Sequence, residues 1–475
     1  MKSVIREIHQ QLVSGKRSCE ELIREKISLI SDNEYNTANL LLTESALALA
    51  VQVDGKIKAG RPIGLLEGIP FGIEDVILLQ GSITTGCSGF LKNYKAPYTA
   101  TAISKLMEAG AIPVVKENCD SFGHGVTGEN SVFGAVRNAH DKYRVAGSSC
   151  SGSAVDVAKG YTVFSVAGNT GSAVPAGYNR VYGLKPTYGR VSRYGMMANG
   201  SSTDCIGPIA SSPEDIRILI NTMSGKDAHD RISGSSMPVP ENIFEPEHTE
   251  RQITVGYYRQ FIENKYLDAT IKTAFQMMIK NLSDKGFRVI TLDSFDIDVT
   301  VATASVLAMA EASSALARLD GSVYGIRPQS RQVPEGAMIA RSENFTDETK
   351  RRIIGGSQVL SHVHDHDVYL KAGILKNQLI DAIYNDFEKV NIILSPATVT
   401  LPPTFIQSHD IQDIQDIQDM MYLPDVYAAG FHMAGLPTLT APLFTPTGIQ
   451  ITASKNREDI ILSFANYLEE AEKWT

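Results

Sequence analysis

The run "IPFGIEDVILL", residues 69–79, decides how the rest of the chain reads. It is apolar, of strand length, and entered through a Gly-Pro turn. Two runs of the same texture follow, "AIPVVKEN" (111–118) and "TVFSVAG" (162–168), and a helical stretch, "TATAISKLMEAG" (99–110), lies among them. Glycine and serine crowd the connections. Short buried runs alternating with helices predict an α/β protein with a mostly parallel sheet flanked by helices.

The pattern continues to the C-terminus. Strands are expected at "ITVGYY" (253–258), "FRVITL" (287–292), "NIILSPA" (391–397), "TLTAPL" (438–443) and "GIQITAS" (448–454). Helices are expected over 269–286, through 300–390, and in an amphipathic segment at the end. Residues 1–60 read as an N-terminal helical segment. "SVIREIHQQLV" has apolar spacing near 3.6 and stops at Gly15, Ser18 with Glu21 forms a capping box, and "TESALALAVQVDGKIKAG" makes a third helix. No Pro/Ser tract marks a linker, so residues 1–475 are expected to form a single domain.

Within the opening run, Glu74 and Asp75 interrupt apolar sequence. A carboxylate buried there must be hydrogen-bonded, paired or neutralised, because burying it bare costs several kcal/mol or more.

Composition bounds the function classes. With 43% hydrophobic and 20% charged residues, the chain has material for a large core, and wholesale disorder is excluded. A net charge of −9 with no basic run argues against direct nucleic-acid binding. Cys19, Cys87, Cys119, Cys150 and Cys205 are scattered without a CxxC pair, so they read as reduced thiols and not as a zinc site or disulfide framework. "MKSVIREIHQQLVSGKRSCEEL" lacks the apolar core of a signal peptide, and no stretch of 18 apolar residues occurs. A cytoplasmic protein without membrane contact, metal or cofactor is expected. "SHVHDHD" clusters His362, His364 and His366 with Asp365 and Asp367, and "DIQDIQDIQD" (410–419) is a triplet repeat. Both read as solvated surface, with cation or partner binding the sharper alternative.

The densest chemistry lies in "VAGSSCSGSAVDVAKG" (145–160) and "VAGNTGSAVPAGYNRVYGLKPTYGRVSRYG" (166–195). A serine-glycine loop opening a helix offers N–H groups and hydroxyls to an oxyanion or anion. Tight glycine turns over a sheet edge would look the same. Neither GxxxxGK[ST] nor GxSxG is present, which disfavours a nucleotide P-loop and an α/β-hydrolase elbow.

On "GIPFGIEDVI", "GSSCSGSA", "GNTGSAVPA", "VYGLKPTYGRVSRYG", "EASSALARLDGSVYG", "ETKRRIIGGS" and "DVYAAGFHMAGLPTLTAP", in that order, the chain resembles the amidase-signature hydrolases over nearly its whole length. Within them it is most similar to the A subunits of glutamyl-tRNA(Gln)/aspartyl-tRNA(Asn) amidotransferases. The resemblance implies the α/β/α amidase-signature fold, a single domain around one large mixed, mostly parallel sheet flanked by helices. It also implies amide hydrolysis by a nucleophilic serine, a bridging serine in a cis peptide and a neutral lysine, with loop N–H groups holding the oxyanion. In the transferases the amide is glutamine, and the ammonia passes to a partner subunit.

Residue by residue the carry-over is uneven. Ser149 matches the bridging serine. The family's G-I-K-D is Gly72-Ile73-Glu74-Asp75 here, so Glu74 stands in place of the lysine. The nucleophile loop G-S-D-T-G-G-S-I-R-Q-P-A is two residues shorter in this sequence, which puts Ser172 or Ala173 at the nucleophile's place. Asn169, Thr170 and Gly171 correspond to the oxyanion loop. Cys150 and Ser151 replace a serine and a glycine. The glutamine-recognising positions are kept as Tyr324, Arg352 and Asp425, of which the arginine suits an α-carboxylate and the aspartate an α-amino group.

Glutamate is no simple substitute for the lysine, being shorter, anionic when basic, and ending in acceptors. The expectation is a pseudo-amidase: an amino-acid-binding or scaffold subunit, with B- and C-type amidotransferase subunits or copies of itself as partners and a small amino acid or amide as ligand. The alternative is an active amidase or glutaminase subunit using Ser172 or Ser149 with an altered base.

Overall fold

The computed structural model describes residues 3–168, 173–243, 252–294, 296–327, 332–361, 367–405 and 426–472. Eleven strands form one sheet: β1 (Ala38–Leu41), β2 (Pro70–Glu74), β3 (Ile112–Glu117), β4 (Phe164–Gly168), β5 (Tyr182–Lys185), β6 (Ile206–Ala210), β7 (Thr254–Tyr258), β8 (Arg288–Leu292), β9 (Ile392–Pro396), β10 (Thr438–Ala441) and β11 (Ile449–Ala453). Their order across the sheet is β1-β3-β2-β4-β6-β5-β10-β11-β9-β7-β8. All the segments expected to be strands contain strands, within a residue or two at their ends except the run 69–79, whose strand β2 stops at Glu74.

The sheet is mixed, as expected, but parallel pairing is less general than the alternation of runs and helices suggests. Parallel pairing joins β3-β2-β4 and β9-β7-β8, and the other six of the ten pairings are antiparallel. Connections account for two of the six: β5 to β6 and β10 to β11 are joined without an intervening helix, and a strand that returns without a crossover pairs antiparallel.

The N-terminal segment holds the three expected helices, α1 (Val4–Val13), α2 (Cys19–Ser31) and α3 (Thr43–Lys58), and the Ser18–Glu21 capping box at α2 is formed in both directions. It also holds β1, which the helical reading of residues 1–60 missed. This four-residue strand adds to the sheet edge antiparallel to β3.

The central strands β2, β3 and β4 are buried along their whole length, and Phe71 stacks on Phe164 across the parallel pair, with ring centroids 5.0 Å apart. Register puts Glu74 opposite Glu117 and Ile73 opposite Val166. The C-terminal ends of three parallel strands therefore converge, where open α/β sheets place their ligands.

Helix α4 (Thr101–Glu108) lies between β2 and β3 in the chain, α5 (Ser151–Ala158) starts beside these ends, and α6 (Ala173–Asn179) follows β4. The helix Ile297–Leu316 is long and apolar enough to cross a membrane by length and composition. Here it packs against Asp347–Leu360 and Asp367–Asp386 and lends one face to a cavity above the strand ends.

Candidate active site

Glu74 is the last residue of β2 and has no exposed surface. Its Oε2 accepts the N–H of Gly168, the last residue of β4, at 2.5 Å, and its Oε1 is buried and makes no hydrogen bond among the described residues. Burial pushes the carboxyl up to about 8, opposed by the Gly168 N–H and aided by Glu117. At neutral pH Glu74 is therefore an uncharged acid.

Its neighbour Asp75 accepts from Thr85 N at 3.1 Å, from the Thr85 hydroxyl and from Asn39 Nδ2 at 3.3 Å. Lys116 of β3 reaches across to Asp75 Oδ1 at 3.4 Å and donates to the carbonyls of Glu74, at 3.2 Å, and Ile77. Burial pulls the Lys116 ammonium down and Asp75 counters it. With two carbonyls as acceptors and Asp75 as its ion-pair partner, this buried lysine holds the end of β2.

A second acid, Glu117, lies on the other face of β3. It accepts from Ser153 of α5 and from Ser165 of β4, the latter at 2.6 Å. Asp156 of α5 faces it, and burial pushes both carboxyls up. Neither Lys116 nor Glu117 was among the expected site residues. The signal was present in "AIPVVKEN", whose charged pair interrupts a buried run just as Glu74 and Asp75 do.

The serine loop runs from Gly147 into α5. Gly147 and Ser148 donate to the carbonyls of Thr127 and Val126, each at 3.0 Å, and the Ser149 carbonyl accepts from Asp120 at 3.3 Å and Ser151 at 3.0 Å. The Ser148–Ser149 peptide is cis. Ser149 is buried, and its hydroxyl makes no hydrogen bond among the described residues. Glu74 and Ser149 are therefore not bonded to each other. Cys150 is fully buried, with its thiol pushed well up by burial and then by Glu74, so it is no thiolate nucleophile.

Ser148 and Ser149 line a cavity of about 160 Å³. Arg352, expected to recognise a carboxylate, lines the same cavity, as do Glu311, Lys376 and His432. Burial and then Lys185 hold His432 neutral. Tyr324 does not join them. It lines a neighbouring apolar cavity of about 200 Å³, where its ring meets Tyr94 edge-on at 6.1 Å. Glu74 lines neither cavity. Asn169, Thr170, Gly171, Ser172 and Asp425 lie outside the described residues, as do the residues 362–366 histidine cluster and the 410–419 repeat. Among the described residues, no group of three or more His, Cys, Asp or Glu side chains could hold a metal ion. None of the five cysteines forms a disulfide and all are buried, with Cys87 and Cys119 in contact at 3.3 Å between sulfurs.

A family model described as Amidase matches residues 21–462. The chain is 35% identical to the A subunit of the glutamyl-tRNA(Gln) amidotransferase of Trichodesmium erythraeum (strain IMS101), over 99% of its own length and 98% of the relative's. It is 36% identical to that of Koribacter versatilis (strain Ellin345), over 93% and 92%. The solved A subunit of the glutamyl-tRNA(Gln) amidotransferase of Thermotoga maritima superposes with a TM-score of 0.76 at 27% identity, covering 96% of this protein and 92% of that one. A protein from a vestigial complex, studied for the origins of an s-triazine catabolic enzyme, shares the fold with a TM-score of 0.84 at 23% identity, over 99% and 98%. This protein belongs to the amidase family, within which it is a member like the A subunits of the amidotransferases.

Proposed function

We propose that this protein is a pseudo-amidase: a cytoplasmic domain like the amidotransferase A subunits, whose cavity binds a small amino acid or amide and whose hydrolytic machinery is lost. The observation that carries the reading is the state of Glu74, a fully buried acid whose burial favours the uncharged form and which has no bond to Ser149. Family-type hydrolysis needs a neutral base there to take the proton relayed through the bridging serine. A protonated carboxyl has no such capacity, and Lys116, the buried lysine beside it, is spent on Asp75 and two carbonyls. Losing one member of a catalytic unit of this kind costs on the order of 10⁴ to 10⁶ in rate.

The binding half of the site supports retained recognition, because Arg352 and Ser149 share one cavity. The relatives are named as subunits, and the proposal gives this protein partner subunits of the B and C types, or copies of itself. It acts as a scaffold or amino-acid-binding subunit, with no cofactor and no direct nucleic-acid contact.

One observation favours a second reading, an active amidase or glutaminase subunit. A Glu74 carboxyl titrating near 8 becomes a base in mildly alkaline solution. Ammonia release from glutamine and asparagine, measured with and without the neighbouring gene products, separates the two. No turnover together with measurable glutamine binding that Arg352→Ala abolishes supports the pseudo-amidase. Turnover that disappears in both Ser172→Ala and Glu74→Gln sinks it.

A further inference from the structure

Asn199 lines the same cavity as Arg352, and so do Gly123 and Gly125. His124, between those glycines, is fully buried, and its Nε2 lies 2.5 Å from Asn199 Oδ1. Burial and then Arg352 pull the imidazole down to about 3, so the ring is neutral and carries one N–H. An amide oxygen only accepts, so that N–H sits on Nε2 and donates to Asn199. Nδ1 then holds a bare lone pair, and it is buried without a hydrogen bond among the described residues.

This bond fixes which way the Asn199 amide is turned. Its Nδ2 lies 3.5 Å from the Gly123 carbonyl, at the outer limit for one N–H, and a flipped amide would set oxygen against oxygen there. The second N–H of Asn199 has no acceptor among the described residues. Arg352 is in a like state. Its Nε donates to Glu348 Oε1 at 2.7 Å, and its terminal N–H groups have no partner among the described residues. Arg352 lies near enough to His124 to oppose the ring's protonation, so the donors of Asn199 and Arg352 belong to one region of the cavity wall.

We infer that Asn199 is a specificity-determining residue that donates its side-chain N–H to the ligand carboxylate taken by Arg352, with His124 as the positioning residue that holds the amide in that orientation. The inference rests on the amino-acid-binding reading above and adds a second donor to its recognition of the carboxylate. A carboxylate has two oxygens and about four acceptor sites, enough for a guanidinium and an amide together. Both groups only donate in the directions left open to them, and a bond to a charged acceptor is the strongest that either can make. His124 touches no ligand. It acts by keeping the amide oxygen occupied, which leaves the nitrogen for the cavity.

The test is calorimetric titration of the full-length protein with three probes. L-Glutamine has the carboxylate and a side-chain amide, L-norleucine keeps the carboxylate without the amide, and L-glutaminol keeps the amide with a hydroxymethyl group for the carboxylate. Binding of glutaminol too weak to titrate directly is read by competition against glutamine. Asn199→Leu is expected to weaken glutamine and norleucine about tenfold each, the size of a hydrogen bond to a charged group, and glutaminol less than about threefold. Asn199→Asp keeps the side chain's size and an acceptor for His124 but sets like charge before the carboxylate, and it is expected to weaken glutamine at least as much. It serves where the leucine variant fails to fold. His124→Leu is expected to weaken glutamine in the same direction, with little further loss on adding Asn199→Leu. His124→Gln, whose terminal N–H can stand in for Nε2, is expected to restore binding to within about twofold of wild type, a rescue that a purely space-filling role would not give. Equal losses for glutamine and glutaminol, or a loss for glutamine that norleucine does not share, overturn the inference and leave the amino-acid-binding reading standing. Unchanged glutamine affinity in Asn199→Leu or Asn199→Asp also overturns it. Unchanged affinity in His124→Leu, or no rescue by glutamine at 124, overturns the positioning role. Wild-type binding of none of the three overturns both the inference and the reading it rests on.

Discussion

Lys116 of β3 and Asp75, the residue after β2, form an ion pair at 3.4 Å in which neither side chain reaches solvent. The lysine also donates to the carbonyls of Glu74 and Ile77, so one ammonium fastens the strand end that carries Glu74. Removing one partner of a buried pair leaves the other charge uncompensated, at a cost of about 3–5 kcal/mol. Lys116→Met is expected to lower the stability read from denaturant unfolding by that amount. The double change Lys116→Met with Asp75→Asn should recover part of it, because the stranded charge is gone. A single-variant loss below about 1 kcal/mol would place the pair with those that contribute little.

The state of Glu74 predicts a pH dependence. Its carboxyl titrates near 8 in the folded protein and near the ordinary glutamate value of about 4.3 in the unfolded state. Between those values the unfolded state has lost the proton and the folded state keeps it. The stability tied to this group is thus fully present below about pH 4 and falls as pH rises toward 8, by on the order of 1 kcal/mol per pH unit. Glutamine does not titrate, so Glu74→Gln removes this slope. The measurement is the stability difference between wild type and Glu74→Gln from pH 5 to 8, expected to move steadily in favour of the variant. A flat difference would mean that Glu74 is ionised and paired in the folded protein.

Much of this arrangement is legible in the linear sequence, for physical reasons that also set the limit. β2, β3 and β4 announce themselves because strands buried on both faces are continuous apolar runs, and an acid within such a run, like Glu74, stands out. The displacement of the family's lysine by Glu74 follows from matching residues one to one. The role of Lys116 does not, because it depends on the register that sets Ile73 beside it across two parallel strands. Strand β1 was lost to the helices on either side, since four half-buried residues carry little periodicity. Tyr324 and Arg352 are well separated in sequence, and their assignment to one site rested on resemblance. In the fold they face different cavities, with Phe122 on the wall of Tyr324's and Gly123 on the wall of Arg352's.

The thiols give a direct chemical check. All five cysteines are buried and outside disulfides, and burial raises Cys19, Cys119, Cys150 and Cys205 away from the thiolate. Reaction with a disulfide reagent needs both access and thiolate. The native protein is expected to show no fast-reacting thiol, and the unfolded protein all five. One fast thiol in the native protein that disappears in Cys150→Ala would reopen that residue as a nucleophile.

Glu117 makes a sharper prediction through its contact with Gly72. A Cβ added at Gly72 would lie 1.7 Å from Glu117 Oε1 and 2.9 Å from Ser165 Oγ, so the strand needs glycine there for the carboxyl to reach its hydroxyl partners. Alanine in a strand interior is otherwise neutral or mildly favourable relative to glycine. The sign of Gly72→Ala is therefore set by the clash. To make room, Glu117 must leave Ser153 and Ser165 and stay buried, which leaves polar groups unsatisfied at about 1–3 kcal/mol each. Gly72→Ala is expected to destabilise by at least about 2 kcal/mol in wild type, and by much less in a Glu117→Ala background, where the space is already open. The coupling energy from that double-mutant cycle should exceed about 1 kcal/mol. Equal costs in the two backgrounds would show that something other than Glu117 fills the space above Gly72.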